Sequence, residues 1–100
     1  MSLSNEQKKR YRTIGHSLNP VVTVAGKGLS PGVLEEINRA LSDHELIKIK
    51  LALTEREQRQ QALKQILEQC DAILVQAIGK VILIFKPAPK PNPKLSNLLR

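Results

Sequence analysis

One hundred residues, 41% of them apolar, suffice for one domain with a single core and are too few for two. A formal net charge of +7 and a pI of about 9.9 favour polyanionic partners, nucleic acid before anionic membrane, and no apolar run reaches the length of a membrane span. The single Cys70 excludes an internal disulfide framework, and Tyr11 and Phe85, the only aromatics, are too few for a base-stacking platform.

The N-terminal residues Ser4 and Gln7 have capping-box spacing, and Tyr11, Ile14 and Leu18 give a thin apolar pattern. These predict a first helix from Asn5 to about Ile14, with Gly15 as its stop and Lys8, Lys9 and Arg12 on its outer face. Pro20 opens a first strand over Val21 to Ala25, a β-branched run. Gly26, Lys27 and Gly28 follow as a basic loop, and Ser30-Pro31 reads as an N-cap with proline at N1. The second helix carries Val33, Leu34, Ile37, Ala40 and Leu41 at helical spacing and ends near His44.

Residues Leu46 to Leu51 alternate, which sets Ile47, Ile49 and Leu51 toward a core and leaves Lys48 and Lys50 on a basic, wet sheet face. A second capping box at Thr54 and Glu57 starts a third helix, which carries Leu63, Ile66, Leu67 and Cys70 as its apolar stripe. Ala72 to Ile78 and Val81 to Lys86 then flank Gly79-Lys80 as a two-residue hairpin with Lys80 at its tip. The order αβαβαββ predicts a single α/β domain over residues 1–86, a four-stranded mixed sheet with helices packed mainly on one face. From Pro87 to Arg100 the proline-rich basic segment is expected to stay extended and unpacked as a disordered tail.

A glycine-rich turn between a strand and a helix N-terminus offers charge and unpaired N–H donors together, the requirements of a phosphate. A nucleotide-hydrolysing P-loop is excluded because Gly28 follows Lys27 where Ser or Thr is needed, and a dinucleotide fingerprint fails at Pro31. What remains is a loop that holds nucleic-acid backbone, as the GXXG loop of KH domains does. Basic charge supports this reading: residues 1–27 carry +4 and residues 80–100 carry +5, against −2 between them. Lys8, Lys9, Arg12, Gly26, Lys27, Gly28, Lys48, Lys50 and Lys80 are the candidate RNA contacts. With no base-reading motif in view, specificity is expected to come from the shape of folded RNA.

Catalysis has thin ingredients, because His16 and His44 are 28 positions apart and no metal-ligand spacing occurs. No enzyme activity, cofactor, metal or small-molecule substrate is expected. A module that docks on an acidic protein partner is the competing reading, since the same basic surface would serve it.

Lys8 to Leu18, the Gly26-Lys27-Gly28-Leu29 loop, His44-Glu45-Leu46-Ile47-Lys48 and Val75-Gln76-Ala77-Ile78-Gly79-Lys80 together resemble the CRM domain in its stand-alone bacterial YhbY form. The resemblance covers about residues 3 to 86. It implies an RNA-binding protein that associates with precursors of the large ribosomal subunit, with a fold similar to the C-terminal domain of bacterial translation initiation factor three. Ala25 stands where the family's GXXG loop has its first glycine. A monomer in the cytoplasm is expected, since nothing in the sequence signals export or lipid attachment.

Overall fold

The computed structural model describes residues 3–26, 28–91 and 93–98. The elements are α1 (Asn5–Gly15), β1 (Pro20–Val24), α2 (Pro31–His44), β2 (Leu46–Leu51), α3 (Arg56–Gln69), β3 (Ile73–Ile78) and β4 (Val81–Phe85). One sheet of order β1-β2-β4-β3 holds all four strands, with β1 parallel to β2, and β4 antiparallel to both β2 and β3. Successive right-handed crossovers from β1 to β2 and from β2 to β3 step across the sheet in one direction, so α2 and α3 fall on the same face.

That face carries the larger core. Val22 and Val24 of β1, Ile47, Ile49 and Leu51 of β2, and Ile82 and Ile84 of β4 pack against Ile37 and Leu41 of α2 and Ala62 and Ile66 of α3. Cys70 is buried there too, and desolvation pushes its thiol pKa up against the opposing pull of the Lys86 ammonium. Burial as a small hydrophobe is the role the stripe predicts.

The opposite face is not simply basic and wet. Leu46 and Leu83 join Tyr11, Val75 and Phe85 in a second core under α1, where the Tyr11 and Phe85 rings lie 4.9 Å apart at 44°. The strand β4 is therefore apolar on both sides, Ile82 and Ile84 facing one core and Leu83 and Phe85 the other.

Gly15 owes its identity to this packing. It is the last residue of α1, not a left-handed stop beyond it; a Cβ there would stand 2.6 Å from Leu83 Cδ2 and 3.1 Å from Cδ1. The α1 capping box forms as expected, with the Ser4 N–H donating to Gln7 Oε1 and the Gln7 N–H to Ser4 Oγ.

The second capping box does not form. Arg59 Nη1 donates to the carbonyls of Leu53 (2.7 Å) and Thr54 (3.0 Å), and the helix starts one residue later with Glu55 as an N-cap whose side chain takes no part. At the other end of α3, Asp71 takes φ 53° while the Ala72 N–H reaches back to the Leu67 carbonyl, the six-to-one bond of a Schellman motif. An aspartate in this left-handed position is strained. Asp71→Gly is expected to raise stability by about 0.5–1 kcal/mol, read as an upward shift of the thermal midpoint.

The segment after β4 differs most from expectation. Glu45, buried and at φ 62°, accepts hydrogen bonds from the Ser96 hydroxyl (2.8 Å) and the Ala88 N–H (3.1 Å). The Asn97 side chain donates to the Leu46 carbonyl (2.6 Å) and its N–H to the His44 carbonyl (2.9 Å), while Leu98 packs on the second core. His44 Nδ1 lies 2.8 Å from the Leu95 carbonyl, and since a carbonyl only accepts, Nδ1 carries the proton. Thus residues 95–98 are seated on the α2–β2 corner where composition alone predicts an unpacked tail. Proline content argues against helix and strand, but a few polar atoms suffice to dock a run of turns.

Candidate nucleic-acid interface

The site is assembled by strand direction. The C-terminal ends of β1 and β2 point the same way, and the hairpin between β3 and β4 closes at that end, because Ile78 pairs with Val81 beside the Lys50–Val81 pair. Gly79 at φ 57° makes the two-residue turn, as the sequence predicts. Backbone bonds tie the end together: the Leu51 N–H donates to the Lys80 carbonyl (2.6 Å) and the Ala52 N–H to the Val24 carbonyl (2.7 Å). In an α/β sheet this carboxyl end is where ligands collect.

The loop, both later helix starts and two lysines meet there. The Gly28 N–H donates to the Ala25 carbonyl (2.7 Å), which closes the loop, and Gly28 takes φ 73°, where a glycine is required. Among the described residues only Glu45 and Asp71 are non-glycine residues at positive φ, so alanine is accommodated at position 25 without left-handed strain. Gly26 has no positive φ, and a Cβ built on it meets nothing within 4 Å. The fold does not demand glycine at that position. Lys27 lies outside the described residues.

Beyond the loop, Ser30 caps α2 by accepting from the Val33 N–H at 3.2 Å, and Pro31 has no N–H to satisfy, which leaves the Gly32 N–H as the first-turn donor. The first turn of α3 has no side-chain cap at all, so two helix N-termini direct N–H groups and positive dipole ends toward one region. Arg56, exposed at the N1 position of α3, adds a cation where the helix dipole disfavours one. Arg59, its neighbour along the helix, is occupied by the Leu53 and Thr54 carbonyls and serves the fold. Local pattern does not mark Arg56 as a contact; its one sequence cue is an arginine in a first turn that favours acids.

On the α1 side of the sheet the helix ends at Gly15, and the rows beyond it are uncovered. Lys50 is exposed there between Thr23 and Val81, with Ile78 61% exposed at the edge of the same row. Lys48, one row back and half-buried, lines a hollow of about 200 Å3 with His16, Gln76 and Leu83. Lys80 is exposed at the hairpin tip.

The α1 cations are elsewhere. Since Tyr11 lies over Phe85 and Gly15 against Leu83, α1 runs toward the loop end, and its first turns sit over the far end of the sheet. From Leu46 to Leu51 the strand spans roughly 17 Å at ~3.3 Å per residue. Lys8 and Lys9 are thus not gathered with the loop, while Arg12 is exposed midway along α1.

Between the loop and α3 runs a groove of about 290 Å3. Gly26 and Gly28 form one wall, Leu29, Leu53 and Ala62 the floor, and exposed Gln58, Gln61 and Gln65 the other wall. Among the described residues no group of three or more His, Cys, Asp or Glu is placed to hold a metal, and no helix is long and apolar enough to cross a membrane.

The chain is 53% identical over 100 residues to a probable RNA-binding protein of Pseudomonas aeruginosa, covering 100% of this chain and 96% of that one. It is 42% identical over 87 residues to an RNA-binding protein of Haemophilus influenzae, covering 87% and 88% of the two chains. The solution structure of a hypothetical protein from Staphylococcus aureus superposes with a TM-score of 0.73 at 23% identity, over 89% of this chain and 93% of that one, which establishes the common fold. Residues 3–86 match the model of the CRS1 / YhbY (CRM) domain, and the chain belongs to that family.

Proposed function

We propose that this chain is a non-catalytic, monomeric, cytoplasmic protein that binds structured RNA at the loop end of its sheet. Gly26, Lys27 and Gly28 hold the sugar-phosphate backbone, and Lys48, Lys50 and Lys80 take neighbouring phosphates. Lys8, Lys9 and Arg12 meet a separate stretch of the same RNA. Precursor RNA of the large ribosomal subunit is the target, and binding aids its assembly.

The observation that carries this reading is the convergence of a glycine loop, two helix N-termini and the cations Lys50, Arg56 and Lys80 on one end of the sheet. Such a surface combines charge with backbone donors and lets another backbone approach closely. The names of the Pseudomonas and Haemophilus relatives support RNA as the polyanion. The ribosomal target is supported by the resemblance of the loop, the His44 to Lys48 segment and the hairpin to the YhbY form of the domain.

Binding to a structured RNA fragment is expected to weaken with salt at a log–log slope of about −3 to −5, the signature of ~4–6 phosphate contacts. Lys27→Ala is expected to weaken binding about tenfold with no loss of fold. A slope near zero would favour docking on a protein partner. Crosslinking in cells is expected to recover precursor large-subunit RNA above all others, and recovery spread evenly over other RNAs would remove the ribosomal role.

A further inference from the structure

We propose that the groove between the glycine loop and α3 is a base-reading subsite, in which Gln58, Gln61 and Gln65 hydrogen-bond the edge of an unpaired nucleobase. The inference rests on RNA as the ligand and adds what part of it is read, and by which residues.

Sequence spacing makes the glutamines one surface. Positions 58, 61 and 65 are separated by three and four residues, so their side chains line a single stripe of α3. All three are exposed, and no hydrogen bond joins their carboxamides to another described residue. The stripe is not an ordinary solvated helix face. Of the fourteen residues of α3 five are glutamine, and three of the five line the groove. No described residue lining the groove is ionisable. The neutral carboxamides of the α3 wall match the neutral part of a nucleotide and leave its phosphate to the loop.

The groove's chemistry follows the shape of a base. Half-buried Leu29, with the exposed edges of Leu53 and Ala62, gives the groove a small apolar floor on which one edge of a ring can rest. Each glutamine supplies a donor pair and an acceptor, the complement of a base edge. At about 290 Å3 the groove sits at the small end of ligand sites, which run roughly 300–1,000 Å3, and suits one nucleotide. The opposite wall is Gly26 and Gly28, where a Cβ would meet nothing within 4 Å, so the strand's backbone has room to pass while its base turns in toward α3. Phosphate capture and base reading are then performed by the two walls of one groove.

The test uses four hairpin RNAs that share one stem and carry unpaired loops of A, C, G or U. The full-length chain is expected to prefer at least one loop over the weakest by about tenfold, since one good bidentate amide contact discriminates at that level. In Gln58→Ala/Gln61→Ala/Gln65→Ala, alanine keeps the helix and the thermal midpoint, while the four affinities are expected to converge within about twofold. The salt slope stays unchanged, because neutral amides release no counterions. Equal binding of the four loops by the wild type, or a preference that survives in the triple variant, overturns the subsite and leaves RNA binding intact. Failure to bind any of the four overturns both.

Discussion

Lys50→Glu combined with Lys80→Glu is expected to lower RNA affinity by about two orders of magnitude without unfolding the protein. Both side chains are exposed at the loop end, Lys50 on the uncovered sheet face and Lys80 at the hairpin tip. In the proposed binding mode reversal removes two phosphate contacts and sets two carboxylates against the backbone, and a hundredfold loss corresponds to about 2.7 kcal/mol. The fold should be indifferent to it. The strand register is held by main-chain bonds, including that from the Leu51 N–H to the Lys80 carbonyl, and exposed substitutions of this kind usually stay within ~0.5 kcal/mol. The salt slope is expected to fall by about 2, as two counterions fewer are released. An affinity within threefold or so of wild type, measured by fluorescence anisotropy at one salt concentration, would remove both lysines from the interface.

Gly15→Val is expected to destabilise the protein by about 3 kcal/mol, because Gly15 is buried against the second core. Even the first added carbon meets Leu83 at 2.6 Å, and Leu83 is 2% exposed with Val75, Tyr11 and Phe85 around it. The leucine cannot swing away without displacing that cluster, and the γ carbons of valine demand more room still. For a domain of this size the thermal midpoint should drop by roughly 12–24 °C. Leu83→Ala in the same chain should recover part of the loss by opening the space, although by itself it destabilises by about 2–5 kcal/mol. Strict additivity of the two would show that Gly15 and Leu83 do not press on one another.

Most of the frame was legible because local signals agreed with one another. Ser4 with Gln7, Ser30 with Pro31, and Gly79 with Lys80 each specify a cap or turn within a few residues, and all three form. What escaped depends on contacts distant in sequence. The second core was hidden because α1 presents only a thin apolar pattern, although the uninterrupted Val81 to Phe85 run signalled a strand buried on both sides. Gly15 resembles a helix stop until Leu83 is seen beneath it, and Thr54 resembles a cap until Arg59 takes its carbonyl. The docking of Ser96 on Glu45 joins residues 51 positions apart and leaves no periodic trace.

The site was legible in part for the same reason. Gly26, Gly28 and the alternating Lys48 and Lys50 declare themselves through local pattern. Their company does not: that Lys80 and Arg56 share an end with the loop, and that Lys8 and Lys9 lie at the other, follows from strand order and helix direction. The glutamines of α3 carry no signal of their own in the sequence, since an uncharged polar residue on a helix reads as filler until a groove is found beside it.

The most direct test of the central claim is an amide chemical-shift titration of the labelled protein with a structured RNA. The largest changes are expected at residues 25–32, 50–56 and 79–81, the loop, the ends of β1 and β2 and the hairpin tip. Changes confined to the first turns of α1 and to residues 95–98, with the loop end silent, would contradict it.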